Sequence, residues 1–156
     1  MKIAVYPGSF DPITNGHLDI LKRSLEVFDK VILLLAVNPA KKGVFSYPER
    51  LQIMKDAVAG LGNVEVDSTE GLTVDYCRQV GAKHIIRGLR AVTDFEYEFQ
   101  LSAANHFLDE DIDMVFFMAS SANSFISSST INELAKNGAD ISGLVPPCVV
   151  KAYQGK

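Results

Sequence analysis

The sequence has no tryptophan, only two cysteines and no long hydrophobic run among its 156 residues. The longest apolar stretch, residues 31–37, is far shorter than the roughly 20 residues that cross a bilayer, so we expect no membrane segment. Cys77 and Cys148 form neither a C-x-x-C pair nor a zinc-binding spacing. Two free thiols are typical of a reducing compartment, and we therefore expect a cytoplasmic protein.

An excess of positive charge is also missing. The chain has 15 basic and 19 acidic residues, a formal net charge of −4. A broad nucleic-acid surface normally needs a basic face, so we expect no nucleic-acid partner. A few local cations can still hold a small anion against the overall sign. At about 150 residues per domain, the length predicts a single domain over residues 1–156.

What the chain does contain is a regular alternation of short apolar runs and helical stretches. Asn15 and Gly16 would favour a hairpin, but apolar residues then recur at helical spacing from Leu18 to Phe28. This alternation predicts an α/β fold, a doubly wound, five-stranded parallel sheet of Rossmann-like type with helices on both faces. Ligands of such sheets bind beyond the carboxyl ends of the strands, where the strand order switches. The predicted strands are residues 2–6, 31–37, 64–66, 84–86 and 113–118, and the predicted helices after the first cover 46–59, 73–80, 94–108, 131–136 and 147–153.

The loop after the first predicted strand combines glycines with a histidine. Gly8 ends the strand, and Gly16 and His17 open the following helix. The free N–H groups and positive dipole end of a helix N-terminus attract phosphate, and a histidine there can donate a hydrogen bond to a phosphoryl oxygen. A turn glycine and an ordinary first-turn histidine are the alternative. The combination of strand, glycine loop and histidine-led helix favours a phosphate site.

Cations follow two other predicted strands. Lys41 and Lys42 come after the second strand, and Arg87 and Arg90 come after the fourth. Lysine is a flexible point charge for phosphate, and guanidinium groups match phosphate geometry. A solvated loop is the alternative for the lysines, and an ion pair with Asp94 is the alternative for Arg90.

The loop after the fifth strand is rich in serine. Residues 123–130 read N-S-F-I-S-S-S-T and lead into a helix. Serines at this place are often helix N-caps. Three in a row exceed what capping needs, and hydroxyls with free amides can form a nest for phosphates.

These segments together resemble a known family. Residues 6–12, Y-P-G-S-F-D-P, with T-N-G-H at 14–17, look like the opening of the nucleotidyltransferase superfamily with its T/H-x-G-H signature, and I-S-S-S at 126–129 resembles its second signature. With the lysine pair and the run R-G-L-R-A-V-T-D-F-E-Y-E at 87–98, the spaced set is similar to the bacterial phosphopantetheine adenylyltransferases.

The resemblance implies a reaction and a set of roles. ATP and 4′-phosphopantetheine would give dephospho-coenzyme A and pyrophosphate, with Mg²⁺ carried by the ATP phosphates. It also implies a homohexamer, arranged as a dimer of trimers, and coenzyme A as a feedback inhibitor. His17 would stabilise the transition state, with Lys41 and Arg90 also catalytic, and Ser9, Lys41, Thr73 and Arg87 would hold phosphopantetheine. ATP would contact Ser9, Phe10, His17, Gly88, Leu89, Arg90, Glu98, Asn123, Ser124, Phe125, Ile126, Ser127, Ser128 and Ser129.

The chain departs from the family pattern at a few positions. Ser9 stands where threonine is common and keeps the hydroxyl. Asn123 stands where an aromatic or other bulky residue is often found, and Asn132 lies where many relatives carry lysine or arginine. Thr73 falls in a variable stretch, so its assignment is the weakest transfer.

The chemistry of the residues agrees with such a transfer. The sequence has no nucleophile elbow, no Cys–His pair and no H-E-x-x-H. A phosphate monoester has a second pKa near 6, so the attacking group is already mostly dianionic at pH 7 and needs no general base. Alignment and charge neutralisation remain, as in other phosphoryl transfers. Another nucleotidyltransferase, acting on nicotinamide mononucleotide or with CTP, and a non-catalytic ATP-binding regulatory module are the alternatives.

Overall fold

Strands and helices alternate along the chain, as the sequence predicts. The structure is a computed structural model that describes residues 1–90 and 92–156. No helix among these residues is long and apolar enough to cross a membrane. The elements are β1 (Ile3–Gly8), α1 (Asn15–Ser24), β2 (Lys30–Ala36), α2 (Tyr47–Val58), β3 (Val64–Thr69), α3 (Thr73–Val80), β4 (His84–Leu89), α4 (Val92–Leu108), β5 (Asp113–Met118), α5 (Ser128–Lys136) and α6 (Pro147–Gln154).

The five strands form one parallel sheet in the order β3-β2-β1-β4-β5. The doubly wound fold is therefore confirmed, with its switch in strand order between β1 and β4. β1 pairs with β2 along its whole length, but it pairs with β4 only at Ala4 and Val5. Pro7 has no N–H to donate to a neighbouring strand. Beyond Val5 the two central strands therefore separate, and a cleft opens at the carboxyl edge of the sheet.

The sheet core is buried on both faces. Leu33 and Leu35 of β2 belong to a cluster that packs against α1, α2, α5 and α6. Ile32 and Leu34, on the opposite face, belong to a second cluster that includes residues of α3. Alternate side chains of one strand thus serve two helical layers, which explains why residues 31–37 are apolar throughout.

Element ends differ from the sequence predictions in ways that packing explains. α1 ends at Ser24 although the apolar stripe continues to Phe28, which is buried after the helix has ended. β3 continues to Thr69 because its polar residues still pair with β2. α5 begins at Ser128, three residues earlier than predicted, because the Ser127 hydroxyl accepts from the Thr130 N–H.

Candidate active site

Two cavities lie side by side at the carboxyl edge of the sheet. The histidine cavity, of about 350 Å³, is lined by His17, Arg90 and the start of α5. The lysine cavity, of about 600 Å³, is lined by Lys41, Lys42 and Thr73. The two cavities share Pro7, Gly8, Ser9 and Arg87.

The residues predicted to bind ATP and those predicted to bind the acceptor lie mainly in different cavities. All four residues expected to hold the acceptor line the lysine cavity. Most residues expected to hold ATP line the histidine cavity, but Leu89, Ser124 and Phe125 line neither, and their binding contacts stay a prediction. The residues at the histidine cavity are Ser9, Phe10, His17, Gly88, Arg90, Glu98, Asn123, Ile126, Ser127, Ser128 and Ser129, and those at the lysine cavity are Ser9, Lys41, Thr73 and Arg87.

His17 is fixed in one tautomer by a capping box. The Thr14 N–H donates to His17 Nδ1 at 3.0 Å, and the Thr14 hydroxyl accepts from the His17 N–H at 3.3 Å. Because Nδ1 is an acceptor, we assign the ring proton to Nε2, the only ring nitrogen left to donate into the cavity. Burial, with the positive charges of Arg90 and Arg87, lowers the pKa of His17 to about 4. At neutral pH the ring is therefore an uncharged hydrogen-bond donor.

The loop after β1 is strained at Phe10 and packs against the His17 ring. Phe10 has φ of 40°, in the left-handed region that non-glycine residues rarely adopt. Its buried ring lies edge-on to the His17 ring, with ring centres 4.9 Å apart. A Cβ at Gly8 would meet the Phe10 ring at 3.0 Å, so a larger residue there would require the ring to shift. Phe10 contributes to the cavity chiefly as the support of His17.

The two arginines of the cleft are each paired with a carboxylate. Arg87 donates to both oxygens of Glu98, at 2.9 and 2.6 Å, and Glu98 is only 5% exposed. Burial opposes charge on Arg87, but the hydrogen bonds and charge of Glu98 outweigh it and raise the pKa of the guanidinium. Glu98, expected as an ATP contact, thus also orients Arg87.

Arg90 connects the end of β4 with the serine loop. Its Nη1 donates to the Ile126 carbonyl at 2.9 Å, and its Nε lies 3.5 Å from the Asp94 carboxylate. The ion pair that we considered as an alternative is therefore present. It does not remove Arg90 from the site, because the side chain still lines the histidine cavity. Ala91, within the R-G-L-R to D-F-E-Y-E segment, lies outside the described residues.

The serines at the start of α5 divide between capping and the cavity. Ser127 caps the helix, as the alternative interpretation expected, and the Ser128 hydroxyl donates to the Pro12 carbonyl at 2.8 Å. Ser129 and these two residues all line the histidine cavity at a helix N-terminus. That end of α5 suits an anion by its free amides and its dipole.

Some residues at the cavities escaped the sequence analysis. Asp11, Tyr47 and Arg50 line the lysine cavity, as do Tyr97 and Leu101 of α4. A lone arginine or tyrosine at the start of a helix carries no signal of a site, since such residues are normally solvated. Asn132, a departure from the family, lines neither cavity; its side-chain amide donates to the Asp11 carbonyl at 3.0 Å and contacts the Tyr153 hydroxyl.

The carboxylates of the site do not form a metal centre of their own. Among residues 1–90 and 92–156, no group of three His, Cys, Asp or Glu side chains could hold an ion. Asp94 and Glu98, the two acids of the histidine cavity, both face arginines.

Comparisons with known proteins show the family of the chain. The cytidylyltransferase-like family model matches residues 5–134. A phosphopantetheine adenylyltransferase of Desulfitobacterium hafniense is 53% identical over 156 residues, which cover all of this chain and 96% of the relative. One of Desulfosudis oleivorans is 50% identical, covering all of this chain and 93% of the relative.

A solved structure shares the fold. A protein of Vibrio parahaemolyticus, assigned as a nicotinate-nucleotide adenylyltransferase, superimposes with a TM-score of 0.75 over 99% of both chains at 21% identity.

Nucleotidyltransferases in general require a divalent metal, so one is implied here as well. On the full-length identity to its relatives, the chain belongs to the phosphopantetheine adenylyltransferase family of nucleotidyltransferases.

Proposed function

We propose that this protein transfers the adenylyl group of ATP to 4′-phosphopantetheine and releases dephospho-coenzyme A and pyrophosphate. The observation that carries the proposal is the meeting of the two cavities at Ser9 and Arg87. ATP would occupy the histidine cavity, and the phosphate of 4′-phosphopantetheine would enter from the lysine cavity. The reacting groups would then meet at the cleft between β1 and β4.

The transfer is a single in-line displacement in this proposal. An oxygen of the 4′-phosphate attacks the α-phosphorus, and the bond from that phosphorus to the oxygen bridging to the β-phosphorus breaks. Pyrophosphate leaves with the electron pair. The attacking phosphate is already dianionic, so no protein group has to remove a proton. Holding both reactants in line supplies much of the rate acceleration.

The chain contributes hydrogen bonds and charge at defined places. His17 Nε2–H would donate to the α-phosphate as negative charge develops there, and it is neutral beforehand, so it makes no strong ground-state ion pair. Arg90 and the start of α5 would hold the β- and γ-phosphates, while Lys41 and Arg87 would hold the acceptor phosphate. Mg²⁺ would arrive on the ATP phosphates, where it neutralises charge.

Assembly and regulation belong to the same proposal. α4 exposes Phe95, Phe99 and Phe107 by 55%, 64% and 88%. Apolar side chains in such numbers on one helix favour contact with another protein surface, in keeping with a homohexamer built as a dimer of trimers. Coenzyme A contains the pantetheine arm and would compete at the lysine cavity. Free Cys77 and Cys148 agree with a cytoplasmic location.

A panel of acceptors tests the proposal. The purified protein is mixed with Mg²⁺, ATP or CTP, and 4′-phosphopantetheine or nicotinamide mononucleotide, and pyrophosphate is measured. We expect release only with ATP and 4′-phosphopantetheine. Release only with nicotinamide mononucleotide would reassign the substrate, and ATP binding without any release would indicate a regulatory module.

A further inference from the structure

The lysine segment, residues 38–45, carries Lys41 and Lys42 and is attached to the protein mainly at its two ends. Both lysines are exposed, and neither forms an ion pair within the described part of the chain. The place of their ammonium groups relative to a bound phosphate is therefore set by the backbone on either side. Arg50 of α2 takes part in both attachments.

The first attachment lies after the lysines. The Asp11 carboxylate accepts the N–H groups of Val44 and Phe45 at 2.8 and 2.9 Å. Arg50 Nη2 lies 3.3 Å from this carboxylate, and Arg50 Nε donates to the Phe45 carbonyl at 2.8 Å. Arg50 Nη1 also donates to the Ser9 carbonyl at 3.2 Å. One guanidinium thus joins the lysine segment to the loop that carries Ser9.

The second attachment lies before the lysines. The Tyr47 hydroxyl accepts from the Asn38 N–H at 3.0 Å and donates to the Asn38 carbonyl at 2.9 Å. The Arg50 guanidinium lies over the Tyr47 ring, 4.4 Å from its centre. Arg50 therefore supports Asn38 through Tyr47 and supports Phe45 directly.

Gly43 shows how closely the segment approaches this pair. A Cβ at Gly43 would lie 1.9 Å from Arg50 Nη2 and 2.1 Å from the Asp11 carboxylate. The backbone that follows the lysines is therefore in direct contact with the ion pair. Arg50 lines the lysine cavity but is only 4% exposed, so its main action on a ligand is through the segment.

We propose that Arg50 is a positioning residue, which through Asp11 and Tyr47 sets the distance of Lys41 from Ser9 for binding the acceptor phosphate. This inference rests on the proposed function. A buried ion pair contributes little to stability compared with apolar packing. Arg50 also donates hydrogen bonds to the Phe45 and Ser9 carbonyls. Its role in this proposal is therefore to hold the two loops that would contact the acceptor.

Three variants and a matched control test the inference. Tyr47→Phe removes the hydrogen bonds to Asn38 but keeps the aromatic ring. Gly43→Ala displaces the Asp11–Arg50 ion pair. Arg50→Lys keeps the positive charge but loses the planar set of guanidinium donors. Gly60→Ala is the control, because a Cβ there meets nothing within 4 Å. If Arg50→Lys fails to fold, the two loop variants still decide the question.

Kinetics give the first readout. We expect each of the three variants to raise KM for 4′-phosphopantetheine by about 2- to 5-fold, within the range for one lost hydrogen bond and no more than the loss of Lys41 itself. KM for ATP of the two loop variants, and Tm of Tyr47→Phe, should match those of Gly60→Ala. In a Lys41→Ala background, Tyr47→Phe should cause little further loss, because its effect acts through Lys41. Full additivity, or an equal rise in KM for ATP, would overturn the inference.

Hydrogen exchange without substrate gives the second readout. The amides of Val44 and Phe45 should exchange faster in Gly43→Ala and Arg50→Lys than in Gly60→Ala. Faster exchange with an unchanged KM would overturn the positioning inference alone. A wild-type protein with the expected slow exchange but no pyrophosphate release would instead overturn the proposed function.

Discussion

The two cavities are built on shared residues but hold their cations differently. In the histidine cavity, Arg87 and Arg90 face Glu98 and Asp94, and His17 is neutral. In the lysine cavity, Lys41 and Lys42 are exposed and unpaired within the described residues. The cations of the first cavity are therefore held by protein carboxylates, whereas those of the second are available to pair with a phosphate. Fixed dipoles are what a developing transition-state charge requires.

The largest expected effect comes from removing the donor of the histidine cavity. His17→Ala should lower kcat by a factor on the order of 10²–10³, as for the loss of one transition-state donor. Steady-state pyrophosphate release measures it. His84→Ala, at the opposite edge of the sheet, is the matched control and should keep kcat within about twofold, since catalytic contacts lie at the carboxyl edge. Near-normal turnover by folded His17→Ala protein would remove His17 from the mechanism.

The two arginine pairs of the cleft should respond unequally. Glu98→Gln removes the charged partner of the largely buried Arg87 guanidinium. We therefore expect the free energy of unfolding to fall by about 1–3 kcal/mol. Asp94→Asn breaks a more exposed pair and should cost less than about 1 kcal/mol. Urea unfolding at pH 7 measures both. We also expect Glu98→Gln to raise KM for 4′-phosphopantetheine by roughly tenfold, because Arg87 is no longer held by a charged acceptor. Equal stability losses would contradict the distinction between the two pairs.

Loss of a free lysine should have a smaller effect that depends on salt. Lys41→Ala should raise KM for 4′-phosphopantetheine about fivefold at low salt, with little change in KM for ATP. The difference from wild type should shrink at higher ionic strength, since salt screens exposed charges. Lys55→Ala, an exposed lysine of α2, serves as the control. A rise in KM for ATP alone would contradict the assignment of Lys41 to the acceptor phosphate.

The smallest expected effect is that of His17 protonation on kcat near neutrality. Because the pKa of His17 is lowered to about 4, His17 should cause no inflection in kcat between pH 6 and 8, and the acceptor phosphate, with its second pKa near 6, should titrate alike in wild type and His17→Asn. An inflection near pH 6.5 that His17→Asn abolishes would contradict a neutral imidazole.

Stability should follow the same protonation. The unfolded chain binds a proton near pH 6.5 while folded His17 does not, so the free energy of unfolding should fall as the pH drops from about 6.5 to about 4. His17→Asn should show a shallower fall in urea unfolding measured at pH 5 and pH 7.5. An equal fall in both proteins would place the pH dependence on other groups.

The fold was largely predictable because each apolar run has one simple environment. Residues 31–37 are apolar throughout since β2 is covered on both faces, and the helix signals around it leave a parallel sheet as the outcome. The end of α1 was not predictable in the same way. Phe28 keeps the helical spacing although the chain has already left the helix, and only its burial shows why.

Within the site, the residues in linear motifs were predictable and their supports were not. Ser9, His17 and Lys41 lie in the loops that follow strands or at the start of the next helix, so topology brings them to one edge. Arg50 lies in the first turns of a helix, where an arginine is normally solvated, and its partner Asp11 is 39 positions away in the chain. Burial of such a pair depends on how two loops pack, which no local pattern records.

The proposed function requires that ATP and 4′-phosphopantetheine react with each other in the cleft that His17 lines. The most direct test follows dephospho-coenzyme A and pyrophosphate together after mixing the protein with ATP, Mg²⁺ and 4′-phosphopantetheine. We predict that both products form in equal amounts, and that His17→Ala slows both together. Pyrophosphate without dephospho-coenzyme A, or no pyrophosphate from folded wild-type protein, would contradict the claim.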